Sequence, residues 1–408
     1  MSLAGRFLTL LGLRWFATGL IIPVATLLPL ERGLSLAELG VAMAAQGVVV
    51  LLLEVPSGAL TDSWGRRPVF LLSALVAAAG YTLTLTAGST LAFALAWAVS
   101  GAFRALDSGA LEAWFVDAEN ARGAAHEVPS GLARAGSVIS GAIATGALLT
   151  AGLLAVAPWS TGTTLAVPFV LAIVVVLVQG VVAAVLMEAA PPRAGSTGAV
   201  WASALRGGVS LVTRPGLRGL AAAMVVAAVG VVALETFMPV RLAELSGDRA
   251  EAAARMGVVA AAAWGLAALG SAIAARVLRR CAPRPVAVVL VTIEGLGLLA
   301  MSLAAGPELL VAGYWLGYLV HTGFGSTYNA LVHARVDDAH RGTALSITSM
   351  AFLGSASLGG VLLGLLAEHT SPSSGLLAGA VAMALAAVMI AASTRSSRDV
   401  VAPTPRSA

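Results

Sequence analysis

The stretch Gly58-Ala59-Leu60-Thr61-Asp62-Ser63-Trp64-Gly65-Arg66-Arg67-Pro68-Val69-Phe70 is a short charged island in an apolar sequence. Before it, Val41 to Pro56 is nearly all Ala, Val and Leu, interrupted chiefly by Gln46 and Glu54. After it, Val69 to Leu85 carries no charge. Two apolar runs joined by so few residues predict a hairpin across a bilayer. Paired arginines in so short a connection place it on the cytoplasmic side.

The rest of the composition agrees. The chain has 408 residues, 59% hydrophobic and 11% charged, where a soluble domain carries about 25% charged residues. Apolar runs reach the roughly 20 residues that a spanning helix needs, and the strand alternation of a membrane barrel is absent. An all-α integral membrane protein is expected. Every one of the 24 basic residues is Arg. They sit in separate short loops, so the basic pI near 10.0 reads as a topology signal rather than a nucleic-acid surface. The lone Cys281 excludes an intrachain disulfide and a cysteine metal cluster. No paired-histidine spacing, phosphate loop or nucleophile–base motif stands out. Neither a metal, a cofactor nor an enzymatic activity is expected, and a gradient is the remaining source of energy.

Twelve apolar segments are predicted, at 7–30, 36–57, 69–87, 90–114, 129–152, 165–187, 217–240, 253–274, 285–305, 309–332, 343–366 and 375–393. The first is too long for a signal-peptide core and reads as a retained helix. With the N-terminus inside, eighteen arginines fall on the inner side, four (Arg32, Arg241, Arg249, Arg255) on the outer, and Arg14 and Arg104 within spans. Both termini are therefore expected in the cytoplasm, with the protein multi-pass in the cell inner membrane. The expected organisation is a six-helix bundle over 1–188, a cytoplasmic linker over 189–216, a second bundle over 217–393 and a cytoplasmic tail over 394–408. The linker holds Pro191-Pro192 and a candidate interfacial helix, Ala199 to Val212. A weak internal echo supports a parallel duplication. Gly58 corresponds to Gly270, and Asp117 with Arg122-Gly123 corresponds to Asp337 with Arg341-Gly342. Ala274 stands where the first copy has Asp62.

The pattern G-x-L-x-D-x-x-G-R-R, carried here by Gly58, Leu60, Asp62, Gly65, Arg66 and Arg67, closely resembles the loop between helices 2 and 3 of the major facilitator superfamily of secondary transporters. Thr61, Ser63 and Phe70 depart from the usual residues. Glu54-Val55-Pro56-Ser57-Gly58, Asp107 to Trp114 and Arg341-Gly342-Thr343-Ala344-Leu345-Ser346 are similar to stretches of bacterial members. The resemblance implies twelve helices in two halves with a pseudo-twofold axis, a substrate site between them, and contact between the halves through helices 2, 5, 8 and 11. It also implies that Asp62 faces the start of helix 11 near Thr343, with Glu112, Asp117 and Arg341 as further gate residues.

Ionisable residues inside spans are costly and become functional candidates. They are Arg14, Glu54, Arg104, Asp107, Glu112, Glu235, Glu294 and His321. Arg14 and Glu54 are placed at similar depth and expected to meet, either as a structural pair or as part of a site. Arg104 and Asp107, three apart, are expected to pair on one helix face. Glu235 reads as an outer-gate carboxylate or as a group reaching for the interface. Glu294 falls on a helix that is peripheral by resemblance. His321 is either a packed neutral imidazole or a proton-coupling group. With only Gln46, Gln179, Asn120 and Asn329 as amides, a sugar substrate is disfavoured. An apolar or amphipathic organic molecule fits better. The expected protein is a monomeric, proton-coupled exporter of a drug-like or secondary-metabolite molecule. An organic-anion carrier using Arg14 and Arg104, and a non-transporting membrane scaffold, are the alternatives.

Overall fold

The computed structural model describes residues 1–188, 215–335 and 341–393. The expected linker up to residue 214, its interfacial helix, the tail and Asp337 lie outside these residues, as do the side chains of Arg341 and Thr343. Fourteen α-helices form the described chain, and no strand occurs among the described residues. They are α1 (Leu3–Ile21), α2 (Leu27–Glu31), α3 (Leu36–Trp64), α4 (Arg66–Thr86), α5 (Thr90–Asp107), α6 (Ala110–Ala121), α7 (Val128–Ala155) and α8 (Thr161–Leu186). After the linker come α9 (Pro215–Ser246), α10 (Arg249–Leu278), α11 (Pro283–Ser302), α12 (Pro307–His333), α13 (Arg341–His369) and α14 (Pro372–Ala392). Nine of them are long and apolar enough to cross a membrane. Helices α1, α5 and α12 have 19, 18 and 27 residues and carry Arg14, the Arg104–Asp107 pair of positions and His321, respectively.

Helix boundaries follow local chemistry. Ser2, Ser35, Ser89, Asp248 and Ser371 each cap a helix by accepting a backbone N–H three residues on. At Ser35 the cap is reciprocal, since Glu38 accepts the Ser35 N–H at 2.9 Å.

Three expectations are corrected. The segment 7–30 is not one helix. It breaks over residues 22–26, where Pro23 has no N–H to give and Val24 bonds back only to the Ile21 carbonyl, at 3.0 Å. The segment 90–114 breaks at Ser108 and Gly109, and Gly109 adopts φ +68°, a conformation open to glycine without strain. The charged island is not a loop. Helix α3 runs through it to Trp64 and α4 starts at Arg66, so Gly65 alone, at φ +92°, turns the chain.

The helices before residue 188 pack mainly on one another, as do those after 215. Two pairs form most of the contact between the groups, α3 with α13 and α7 with α10, and α10 also touches α2 and α8. Glycine makes both contacts close. A side chain at Gly40 would strike the Gly360 carbonyl, one at Gly364 the Leu36 carbonyl, and one at Gly257 the Ala147 carbonyl. All three approaches lie toward the end of the molecule that carries Glu31 and Arg249. Toward the other end, the positions of Gly58, Gly136 and Gly265 face open space. There, on α7, Leu132, Arg134 and Ser137 are exposed. The two groups of helices thus meet at the Glu31 end and leave a cleft that opens toward the Asp62 end.

Candidate functional site: charges along the central cleft

At the Asp62 end, the turn is held by charge. Arg66 Nη1 lies 3.0 Å from Asp62 Oδ1, four residues back across the Gly65 turn, and Arg66 Nε lies 3.5 Å from Asp117 Oδ2 on α6. Arg66 therefore ties α3 and α4 to α6. Arg67 instead donates to the Ala184 carbonyl of α8. Glu112 sits half-buried in the first turn of α6, where the helix N-terminus favours a carboxylate. Among the described residues it makes no ion pair with Arg66 or Arg67.

Deeper in, the expected pairings are replaced. Arg14 does not meet Glu54; its Nε donates to Asp107 Oδ2 at 2.5 Å and its Nη1 to the Thr18 hydroxyl at 2.7 Å. The guanidinium lies 4.6 Å from the Trp15 ring centroid and 4.5 Å from that of Phe103. Helix α1 thus presents Arg14 across to α5, and aromatic faces take the part of its hydration. Glu54 accepts instead from the Ser108 hydroxyl at 3.2 Å, at the break between α5 and α6. Asp107 is occupied, so the Arg104–Asp107 ion pair does not form. Arg104 is exposed to the cleft, and no carboxylate among the described residues reaches ion-pair distance of it. The charges of Arg14, Asp107, Glu54 and, from the other group of helices, Glu235 all act on it.

The Arg14–Asp107 pair has a measurable structural role. Breaking a buried pair by removing one partner costs about 3–5 kcal/mol, whereas replacing both by apolar groups is often neutral. Asp107→Asn is therefore expected to lower the melting temperature in detergent more than the double substitution Arg14→Met with Asp107→Leu. A single variant that melts no lower than the double would remove the pair from the fold's energetics.

On the opposite wall, α11 and α12 bring together two residues 27 positions apart. His321 Nδ1 lies 2.8 Å from Glu294 Oε1. Glu294 is 0% exposed, and its Oε2 has no hydrogen-bond partner. The imidazole is 27% exposed, so it forms the cleft-side face of the pair. It packs 5.8 Å from the Tyr318 ring, whose hydroxyl donates to Glu235 Oε1 at 3.4 Å. Tyr314 and Trp264 flank Tyr318 at centroid distances of 4.7 and 6.0 Å. Glu235 therefore does not reach out to the interface. It is exposed on the cleft side of α9, within electrostatic range of both Arg104 and His321.

The Glu31 end holds residues that sequence reasoning passed over. Glu368 Oε2, on α13, accepts from the Leu36 N–H at 2.8 Å and the Ala37 N–H at 3.4 Å, at the N-terminus of α3. Arg249 Nη1 lies 2.8 Å from Glu31 Oε2. Both contacts join the two groups of helices. They border a cavity of about 580 Å3 lined by Leu34, Val240 and Glu244 among others. Neither Arg104, Glu235 nor Glu294 lines it, so this cavity is separate from the cleft charges. The contacts span 332 and 218 positions in sequence, and nothing local announces them.

An all-helical membrane protein with paired charges between two packed groups of helices has the anatomy of a secondary transporter. The sequence profile of the Major Facilitator Superfamily matches residues 7–331 and 242–408. The chain belongs to that superfamily and is a multi-pass membrane transporter by fold. Two solved structures, the nucleoside transporter NupG and a point mutant of it, each superpose with a TM-score of 0.82 at 13% identity. The mutant's alignment covers 97% of this chain and 100% of that one, and the parent's covers 96% and 99%. At that identity the likeness is one of fold alone. No curated protein matches the sequence.

Proposed function

We propose that the protein is a proton-coupled secondary transporter, rather than an enzyme, that moves a small organic molecule out of the cell by alternating access. The observation that carries this reading is the Glu294–His321 pair, a fully buried carboxylate 2.8 Å from an imidazole at the cleft edge, close enough for the two to hold one proton between them. With that proton the pair is neutral overall; without it, a net negative charge is stranded in the membrane interior. Loading and unloading one proton thus changes a buried charge by one, which is costly enough to shift a two-state protein. Tyr318 connects the pair to Glu235 on the cleft wall, so occupancy of the cleft and protonation of the pair influence each other. Twelve spans in two bundles, 1–188 and 217–393, with the Asp62 end and both termini in the cytoplasm, complete the proposal. In that orientation the observed cleft opens inward.

Transport in proteoliposomes with an imposed pH gradient tests it, over a panel of lipophilic cations, neutral compounds, organic anions and nucleosides. Nucleosides belong in the panel because NupG shares the fold. The expected result is substrate accumulation that follows the proton gradient and collapses with a protonophore. Gradient-insensitive flux of every compound that moves would overturn proton coupling.

A further inference from the structure

Two charges that face the cleft, Arg104 and Glu235, lie outside the Glu294–His321 pair. Arg104, on α5, has no ion-pair partner among the described residues and faces the open space between the groups of helices. Arg14, the other cation at this depth, is neutralised by Asp107. Across the cleft, Glu235 has one neutral donor, the Tyr318 hydroxyl, and that bond is long at 3.4 Å. A carboxylate offers about four acceptor sites, so most of its capacity is open. Behind Glu235, the buried rings of Tyr314 and Tyr318 and the partly exposed Trp264 pack on one another.

Resting on the transporter reading above, we propose that Arg104 and Glu235 are the two poles of the substrate site and that it takes an amphoteric organic molecule, with an acidic group for Arg104 and an amine for Glu235. A guanidinium held in a low-dielectric cleft without a counter-ion gains most from an anionic oxygen pair that it can grip through two N–H groups. Glu235, with most of its acceptor capacity open, suits an ammonium, which gains a charge-assisted hydrogen bond there. Each pole belongs to a different group of helices. A molecule that satisfies both therefore draws the walls together, while one that satisfies a single pole leaves the other charge without a partner on closure, and the cleft stays open.

Matched triplets separate the poles. Tryptophan and norfloxacin, each with its methyl ester and its N-acetyl derivative, are measured as competitors by calorimetry on the purified full-length protein and by counterflow in proteoliposomes. At least one amphoteric parent is expected to bind about tenfold or more tightly than both of its derivatives, the discrimination of a site whose polar groups are otherwise left unpaired. Arg104→Gln should make parent and ester equivalent, Arg104→Lys should restore part of the preference, and Glu235→Gln should make parent and N-acetyl compound equivalent. Size-exclusion profiles and melting curves confirm that each variant folds. If neither parent is preferred, or if the two Gln variants change parent and derivative affinities alike, the two-pole site is wrong. Because gradient-driven flux of any panel compound is read in the same vesicles, that failure is distinguishable from failure of the transporter reading.

Discussion

Glu294→Gln is expected to abolish uphill transport while leaving substrate exchange in place. With one proton exchanged per substrate, each unit of pH difference sustains about a tenfold concentration ratio, since one unit is worth about 1.4 kcal/mol. In the Gln variant no buried carboxylate compensates a proton placed on His321, so the ratio should fall to about one whatever gradient is imposed. Counterflow, which needs no net proton movement, should continue. Glutamine preserves the shape of a side chain that is 0% exposed and can still bond His321, which limits the damage to folding. Accumulation at the wild-type ratio in Glu294→Gln would exclude this carboxylate as the carrier and return attention to Glu54, Asp107 and Glu235.

The second large effect concerns the end where the helices meet. Glu368→Gln combined with Arg249→Ala should shift the population away from the observed state. A hydrogen bond to a charged group contributes about 1.5–3 kcal/mol, but Glu368 is exposed and solvent competes with the Leu36 and Ala37 amides. The exposed Arg249–Glu31 pair adds about 0–1 kcal/mol. A combined loss of about 1.4 kcal/mol changes the ratio of states tenfold. Spin labels at positions 86 and 305, with Cys281 replaced, report the separation at this end. The variant should gain a longer-distance component, one that grows further with Gly364→Ala, whose added carbon would press on the Leu36 carbonyl. An unchanged distance distribution in the folded double variant would show that these contacts hold nothing shut.

What the sequence could and could not convey follows from the range of each interaction. The helical, membrane-spanning class was written in hydropathy, which is local and additive, and the superfamily was written in six residues of one turn. Two apolar runs so close together predict a connecting loop, but only Gly65 separates the two helices. Asp62 and Arg66, four residues apart, pair across Gly65, which offsets the unfavourable placing of an anion at a helix C-terminus and a cation at a helix N-terminus. The cost of burying ionisable groups singles out Arg14, Arg104, Asp107, Glu294 and His321 as candidates, and the structure places all five in the core or along the cleft. That cost could not say which met which. Arg14 and Glu54 were matched by estimated depth, yet depth does not fix rotation about the helix axis, and α1 turns Arg14 toward α5 instead. Glu294 and His321 were each named separately, and only the packing of α11 against α12 makes them a pair. Glu368 carried no signal, because its partner is a helix N-terminus from the other end of the chain.

The unbroken course of α3 has a mechanical consequence. At 1.5 Å per residue its 29 residues make a rod about 43 Å long. One end is gripped by Glu368 and by the glycine contact at Gly40; the other ends in Trp64, where Arg66 fastens it to α6. With the grip as fulcrum, a tilt of about 10° sweeps the far end through about 7 Å, while the gripped end moves by little more than a bond length. Pro56 lies inside the rod and removes one backbone rung, yet the helix continues past it. Displacements too small to disrupt side-chain packing at one face of the membrane would in this way be geared up into a passage wide enough for a ring system at the other.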